Sequence, residues 1–569
     1  MFSNKGVPVL LPLAAPNSTL INTATYRVSP TEDIANVPLY LQSANLPLPI
    51  KYGLCPPITL TTPTRDVLSY LFSPPEHFID PNPFNQHRNR PIYSAWGPLA
   101  EKLADADFRT EIAFDLVEVY FQIVHSRLPL LNPAHFRNQL KNQLTSTSVS
   151  EKPMHPALVA TVIAWGSKFS EHPLLIADRQ AHGGQGQFSK ALIDRTRELA
   201  EALKVHRVPN SDHVVIGLLV ETLQSQTPGA SNALNRDLAH FQINHKSVAA
   251  QIPDTEERGT LIFAWWMACI CDAFSSLYYR RKPLLDDDDY DIDFYTVDPI
   301  ATEPPSTRES LEFLGYYRAA HSLARTARSM SRKLWRPATD SDGIPLETLN
   351  GFYQALRDWR TEFGDQVTVH MNDYSGDFVT TVSRFASDAQ YHVMWIILFN
   401  AADEFGVKED NEVQRAGSPP TMAPNRANID DLLQRIAREA IESATRISTL
   451  VGVLASNEYL KLDPAVMLFS CIAAGQILAK LGRREVTNCI TGLEQYSRSY
   501  EEAGDHAVEI RRIYEGVCSN SAQVEVGHLV MMARRVPSGV PTSRDPYGMN
   551  IDNEEHVNGR GNPSGMSFA

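Results

Sequence analysis

From about Phe108 to Cys518 the sequence repeats apolar residues at helical spacing and almost nowhere alternates them as a strand would. The pattern opens with Leu116, Val119, Tyr120, Ile123 and Val124, at i, i+3, i+4, i+7 and i+8, which is the stripe of a helix lying on a core. Stretches with the same period follow at 156–170, 187–206, 211–226, 231–251, 257–279, 308–335, 347–364, 383–404, 428–456, 463–483, 487–503 and 505–518. The expected fold class is therefore all-α, a large multi-helix bundle or array. At 569 residues the chain exceeds the roughly 100–200 residues of one usual core, so two packed helical lobes are expected. No repeat of fixed period is visible, which disfavours a regular helical array.

Breaks in the pattern set the expected domains. Residues 1–107 form a Pro-rich, loosely structured leader, with short helices near Asp66–Phe72 and Ala95–Leu103 between interruptions such as Ser73-Pro74-Pro75. The first lobe spans 108–300. It ends at Pro299–Thr307, where Ser306 stands three residues before Glu309 and offers a reciprocal cap for the next helix. A second lobe covers 301–535 and contains a flexible loop at about 406–428, where Gly417-Ser418-Pro419-Pro420 lies among charged residues. The tail, 536–569, has the composition of a disordered end.

Composition narrows the function. A chain that is 43% hydrophobic and 21% charged is globular in its middle. Its net charge of −14 is a poor match to DNA, because duplex binding draws most of its affinity from cations that displace counterions. Six cysteines, Cys55, Cys269, Cys271, Cys471, Cys489 and Cys518, are too few and too scattered for a secreted disulfide framework, which favours a reducing compartment. Leu261–Cys271 is apolar but shorter than the roughly 20 residues of a membrane span, and no membrane partner is expected.

Cys269 and Cys271, two apart on a helix, point nearly opposite ways and make no zinc site. The seventeen histidines include no H-E-x-x-H, and His182-Gly183-Gly184-Gln185-Gly186 lacks the features of a phosphate loop. No catalytic residue, cofactor-binding residue or metal ligand is nominated in this chain.

The most site-like feature is the acidic run Asp286–Asp293. Read as a calcium loop from Asp287, it supplies carboxylates at Asp287, Asp289 and Asp291 but puts Ile292 where glycine is required. Asp287-Asp288-Asp289-Tyr290-Asp291 also matches the DDxxD pattern of isoprenoid synthases. This gives the alternative reading, an all-helical magnesium-dependent enzyme using Asp287, Asp288 and Asp291. Pro283 precedes the run, and Asn372-Asp373 lacks the residues of a second metal motif. The preferred reading is an anchoring loop whose carboxylates pair across the turn with Arg280-Arg281-Lys282.

Upstream, Phe263, Trp266, Met267, Ile270 and Phe274 share one helical stripe that Trp265 and Cys269 widen, so both tryptophans are expected in the core. Asp272 inside this apolar helix needs a partner, Arg281 or a backbone donor. Arg325, Arg328, Arg332, Lys333 and Arg336 along 308–335 read as a solvated helix face. Trp165, Trp265 and Trp395 are candidate walls of a pocket for a small-molecule effector.

Several blocks resemble the regulatory, middle homology domain of fungal zinc-cluster transcription factors, the family that includes xylanolytic activators. Val119-Tyr120-Phe121-Gln122-Ile123-Val124-His125 with Leu128-Pro129-Leu130-Leu131 resembles its opening pattern, and Ala157–Ser170 resembles its small-residue helix with a Gly-x-x-Phe-Ser turn. Glu257-Arg258 through Trp265-Trp266, then Asp272, Arg281 and Pro283, and the acidic run with Asp287, Asp289 and Asp291, resemble its most specific signature. Tyr279-Arg280 stands where that family usually has glycine.

The resemblance covers about 180 residues, from Phe114 to Asp293. It implies nuclear regulation of transcription through transcription machinery or regulatory proteins, with a homodimer and a small-molecule effector as further partners. It also implies zinc and DNA binding through an N-terminal six-cysteine cluster, for which this chain shows no residues, so zinc is expected only in that missing part.

Overall fold

The computed structural model describes residues 58–75, 93–145, 153–182, 184, 186–207, 211–223, 244–288, 290–292, 307–369, 378–417 and 425–519. These residues are 77% helical and contain no strand, as the periodicity requires.

A first group comprises α1 (Thr64–Leu71), α2 (Ala106–Ile123), α3 (Pro133–Thr145), α4 (Pro156–Phe169), α5 (Pro173–His182), α6 (Gln187–Ala202) and α7 (Ser211–Leu223). Its centre is α4, which packs on α1, α2, α6 and α7. Of α4's residues only Leu158 is not buried, and a helix apolar on all sides belongs inside a core. Small residues let its neighbours approach. A Cβ on Gly166 would stand 1.9 Å from the Leu116 carbonyl oxygen of α2, so this position takes glycine for helix contact within α4, not for a turn. The hydroxyls of α4 bond locally: Thr161 Oγ1 donates to the Ala157 carbonyl at 2.6 Å and Ser167 Oγ to the Ala164 carbonyl at 2.7 Å.

Two stretches of the expected leader belong to this core. Val67, Leu68, Leu71 and Phe72 of α1 and its end are buried, as are Trp96 and Leu103 in 3-10 turns at Ser94–Trp96 and Pro98–Ala104. Arg195 of α6 donates to the Leu71 and Ser73 carbonyls, each at 2.7 Å, and fastens the end of α1.

After the short α8 (Lys246–Ala249), α9 (Thr255–Tyr278) and α10 (Thr307–Leu334) pack on each other. The stretch Glu257–Tyr278 has the length and apolar composition of a membrane span, but 83% of its apolar window is buried against the rest of the protein, as in a core helix. The α9 helix also touches α7, while α10 leads into the second group.

That second group is α11 (Pro337–Asp342), α12 (Leu346–Val367), α13 (Phe378–Phe405), α14 (Lys408–Arg415), α15 (Arg426–Ser456), α16 (Leu468–Lys480), α17 (Val486–Tyr496) and α18 (Glu501–Ser519). Asp388, fully buried on α13, ties three of its helices together. It accepts Arg446 Nε at 3.0 Å and Nη2 at 2.6 Å from α15, with Arg360 Nη1 of α12 at 3.4 Å and His392 Nε2 at 3.4 Å. Burial alone would raise this carboxyl. His392 and Arg446 outweigh it and hold the carboxyl down at about 2.

The expected flexible loop at 406–428 differs in its first part, where α14 forms with no buried residue. Polar contacts hold it instead: the Leu346 N–H donates to Glu409 at 3.0 Å, and Asn411 Nδ2 donates to the Asp342 and Phe405 carbonyls at 3.1 and 2.9 Å. Ser306, the expected cap, most of the predicted helix at 231–251 and the tail lie outside the described residues.

Candidate functional site

The signature residues sit at the end of α9, on the chain that leaves it, and on α10. The helix closes at Arg280, whose φ of 55° is left-handed. The Arg281 N–H reaches back to the Ser276 carbonyl at 2.9 Å, a six-residue closure that favours glycine at the preceding position. This explains why glycine would suit position 280. Arg280 offsets the strain, of order 1–2 kcal/mol, through two bonds to Glu404 at 2.8 and 2.6 Å and by lying 4.7 Å over the Trp335 ring.

Asp272 is 3% exposed. Its carboxylate accepts the N–H of Leu284 at 3.2 and 3.1 Å and that of Leu285 at 3.1 Å, so its partners are backbone donors and not Arg281. The buried charge thus folds the exit chain back onto α9. Pro283, buried just before these donors, prevents the helix from continuing. Arg281 donates instead to Ser275 Oγ at 3.0 Å, and its carbonyl accepts Ser331 Oγ of α10 at 2.5 Å.

The acidic run is loop, and its partners lie on α10. Asp286 Oδ1 accepts Arg332 Nη1 at 2.6 Å, a contact that, with the Asp287 N–H, lowers the carboxyl's pKa despite some burial. Arg332 Nη2 also reaches the Leu285 carbonyl at 3.0 Å. Asp287 accepts a short bond from Arg328, a fully buried side chain whose other terminal nitrogen donates to the Cys269 carbonyl of α9 at 3.1 Å. Arg325, 61% exposed, stands 3.7 Å from Asp287. Of the stripe expected to be solvated, Arg325, Lys333 and Arg336 are exposed, whereas Arg328 and Arg332 turn inward and donate to the loop. Asp286 and Asp287 thus pair with α10, besides the adjacent basic residues Arg280-Arg281-Lys282 to which the sequence pointed.

Aromatic groups close the same corner. Tyr290 donates to Asp287 at 3.2 Å and lies 3.3 Å from His321 Nε2. Trp266 packs edge-on against Tyr290 and His321, with ring centres 5.2 and 4.3 Å away, and Trp265 lies 6.3 Å from Tyr290. Burial, then Arg328 and Arg325, push His321 down to about 3, while burial and Asp287 push Tyr290 up to about 12. Both are neutral near pH 7, leaving two carboxylates among three guanidiniums.

Asp291 is engaged elsewhere: it accepts the Lys246 N–H at 2.7 Å at the start of α8. Asp288 is exposed, and Asp289 lies outside the described residues. Asp287 and Asp291 therefore do not project together from a helix, the arrangement a magnesium diphosphate site would use. Among the described residues no three His, Cys, Asp or Glu side chains converge as a metal-holding group. Trp165, Trp265 and Trp395 are fully buried on α4, α9 and α13, with different neighbours; Trp165 Nε1 donates to the Leu219 carbonyl at 2.9 Å, and Trp395 packs on Tyr353 and Tyr391.

Two charged contacts between the helix groups escape sequence reasoning. Arg127, just after α2, is 3.5 Å from the fully buried Asp463, donates to Ser383 Oγ at 3.0 Å, and accepts Tyr317 OH on its carbonyl at 2.6 Å. Lys168 at the end of α4 is buried, donates to the Leu223 carbonyl at 2.9 Å and lies 3.9 Å over the Tyr500 ring. The only available hint was a charged residue within an otherwise apolar run.

Compared with known proteins, the chain matches no family model, and no curated protein or solved structure matches it.

Proposed function

We propose that this chain is a regulator of transcription of the fungal zinc-cluster type, whose helical body works in the nucleus through protein contacts and not by catalysis. The motif resemblance supplies the class. The observation that carries the reading is how the signature carboxylates are spent: Asp272 on two backbone N–H groups, Asp286 and Asp287 on Arg332 and Arg328, and Asp291 on the start of α8. Such residues build a rigid corner between helices, and helix surfaces are what remain for partners. The partners are transcription machinery or regulatory proteins. DNA contact and zinc belong to a cysteine cluster that the family implies and this chain does not show.

The test is to join the full chain to an unrelated DNA-binding domain in a fungal cell and read a reporter gene. A several-fold change in reporter output, in either direction, is expected relative to the DNA-binding domain alone. An intact nuclear fusion that leaves the reporter unchanged contradicts the proposal.

A further inference from the structure

Within the first helix group, two histidines from different helices meet head to head. His155, the residue before α4, and His213, in the first turn of α7, bring their Nε2 atoms to 3.1 Å. They are 58 residues apart in the chain, so no motif spacing announces them.

The backbone around each ring is fixed independently of this contact. The Met154 N–H donates to Gln143 Oε1 of α3 at 3.1 Å, Pro156 opens α4, and the His155 carbonyl accepts the Leu158 and Val159 N–H groups at 2.9 and 3.2 Å. His213 is buried, on a helix that packs along α4. His155 holds the capping position of α4, yet its side chain makes no hydrogen bond to the first amides of that helix. Ser, Thr, Asp or Asn would serve there as a cap; the imidazole is turned toward His213 instead.

The ring centres are 5.0 Å apart and the ring planes stand at 85°. Two imidazoles pointing straight at each other across the 3.1 Å gap would hold their centres farther apart, so the nitrogen axes bend off the line between them. A hydrogen bond tolerates such a bend, and two ligands of one ion require it. Two imidazole nitrogens about 2.0–2.1 Å from one Zn2+ at a tetrahedral angle stand roughly 3.3 Å apart, close to the spacing here.

We propose that His155 and His213 form a two-histidine site for a borderline divalent cation, Zn2+ or Cu2+, which clamps the start of α4 to the start of α7. The inference is independent of the role in transcription. Imidazole suits these cations, whereas Mg2+ and Ca2+ take oxygen ligands. No third His, Cys, Asp or Glu joins the pair among the described residues. Water fills the remaining positions, and the ion is exchangeable, unlike a structural zinc with four protein ligands. Ligation uses both Nε2 lone pairs and so places each ring proton on Nδ1, whereas a hydrogen bond needs an Nε2 proton on one ring.

The thermal midpoint of the metal-free full chain, followed as Zn2+ is added at pH 7.5, tests the site. A rise is expected, because the ion binds the folded pair and finds no such pair in the unfolded chain. His155→Asn removes one ligand and supplies a better cap, so this variant is expected to fold and to lose the rise; His213→Gln is expected to lose it as well. The chain has seventeen histidines, and the comparison with these variants isolates the pair. Pulsed EPR of the chain with one equivalent of Cu2+ should show two coupled imidazoles, reduced to one in His155→Asn. A wild-type midpoint that does not respond to Zn2+ overturns the inference, as does a folded His155→Asn with an undiminished rise or an unchanged copper signal; the pair is then a hydrogen bond alone.

Discussion

The corner at α9–α10 and the Lys168 contact at the end of α4 both bury charge, and they differ in how many partners answer that charge. In the corner, Arg328 bonds through both terminal nitrogens, to Asp287 and to the Cys269 carbonyl, and Asp272 takes two N–H groups. At the end of α4, Lys168 has one carbonyl acceptor and lies over the Tyr500 ring. The more partners hold a buried charge, the more firmly geometry is fixed, because each lost partner leaves a desolvated group behind; Arg328 is held through both terminal nitrogens although its Nε has no partner. The corner is the anchor of the two, and the Lys168 contact rests on fewer polar partners.

The largest effect that would break this comparison lies at Arg328. Arg328→Met removes two charge-assisted bonds, to Asp287 and to the Cys269 carbonyl, and should cost about 3–5 kcal/mol in urea unfolding; a loss comparable to that of a surface variant would mean the corner is not an anchor. Asp272→Asn keeps the shape but turns a donor toward the Leu284 and Leu285 N–H groups. A loss of about 2–3 kcal/mol is expected from the same measurement. The smallest change sharpens the contrast: Arg325, exposed and 3.7 Å from Asp287, should cost about 0.5 kcal/mol or less when replaced by alanine.

These differences also govern what could be read in the sequence. The corner was visible because Trp265, Asp272, Pro283 and Asp287 fall within one short stretch, so an apolar helix interrupted by an acid and followed by a proline already suggests a fold-back. Of its cations, Arg328 and Arg332 were misassigned to solvent while Arg325 was placed there correctly, since helical spacing puts all three on one face without saying what that face meets. The Lys168 contact was not legible. Lys168 and Ser499 are 331 residues apart, and no local pattern links them.

The same logic applies to the helices. Those with apolar stripes announced themselves, while α14, with no buried residue, is held by Glu409 and Asn411 contacts that leave no periodicity. The predicted helix at 463–483 starts later, at Leu468, because Pro464 follows Asp463 and the Asp463 carboxylate holds the Met467 N–H at 3.2 Å as the chain enters the turn. Asp388 and His392, four apart in an apolar helix, were a readable sign of a buried polar centre.

The most direct test of this contrast is native-state hydrogen exchange measured on both regions of the full chain at one pH. The account predicts that the Leu284 and Leu285 amides, held by Asp272, exchange only through global opening, while residues 497–502 exchange through a far cheaper local one. Equal protection in the two regions, or faster exchange at Leu284 and Leu285, would contradict it.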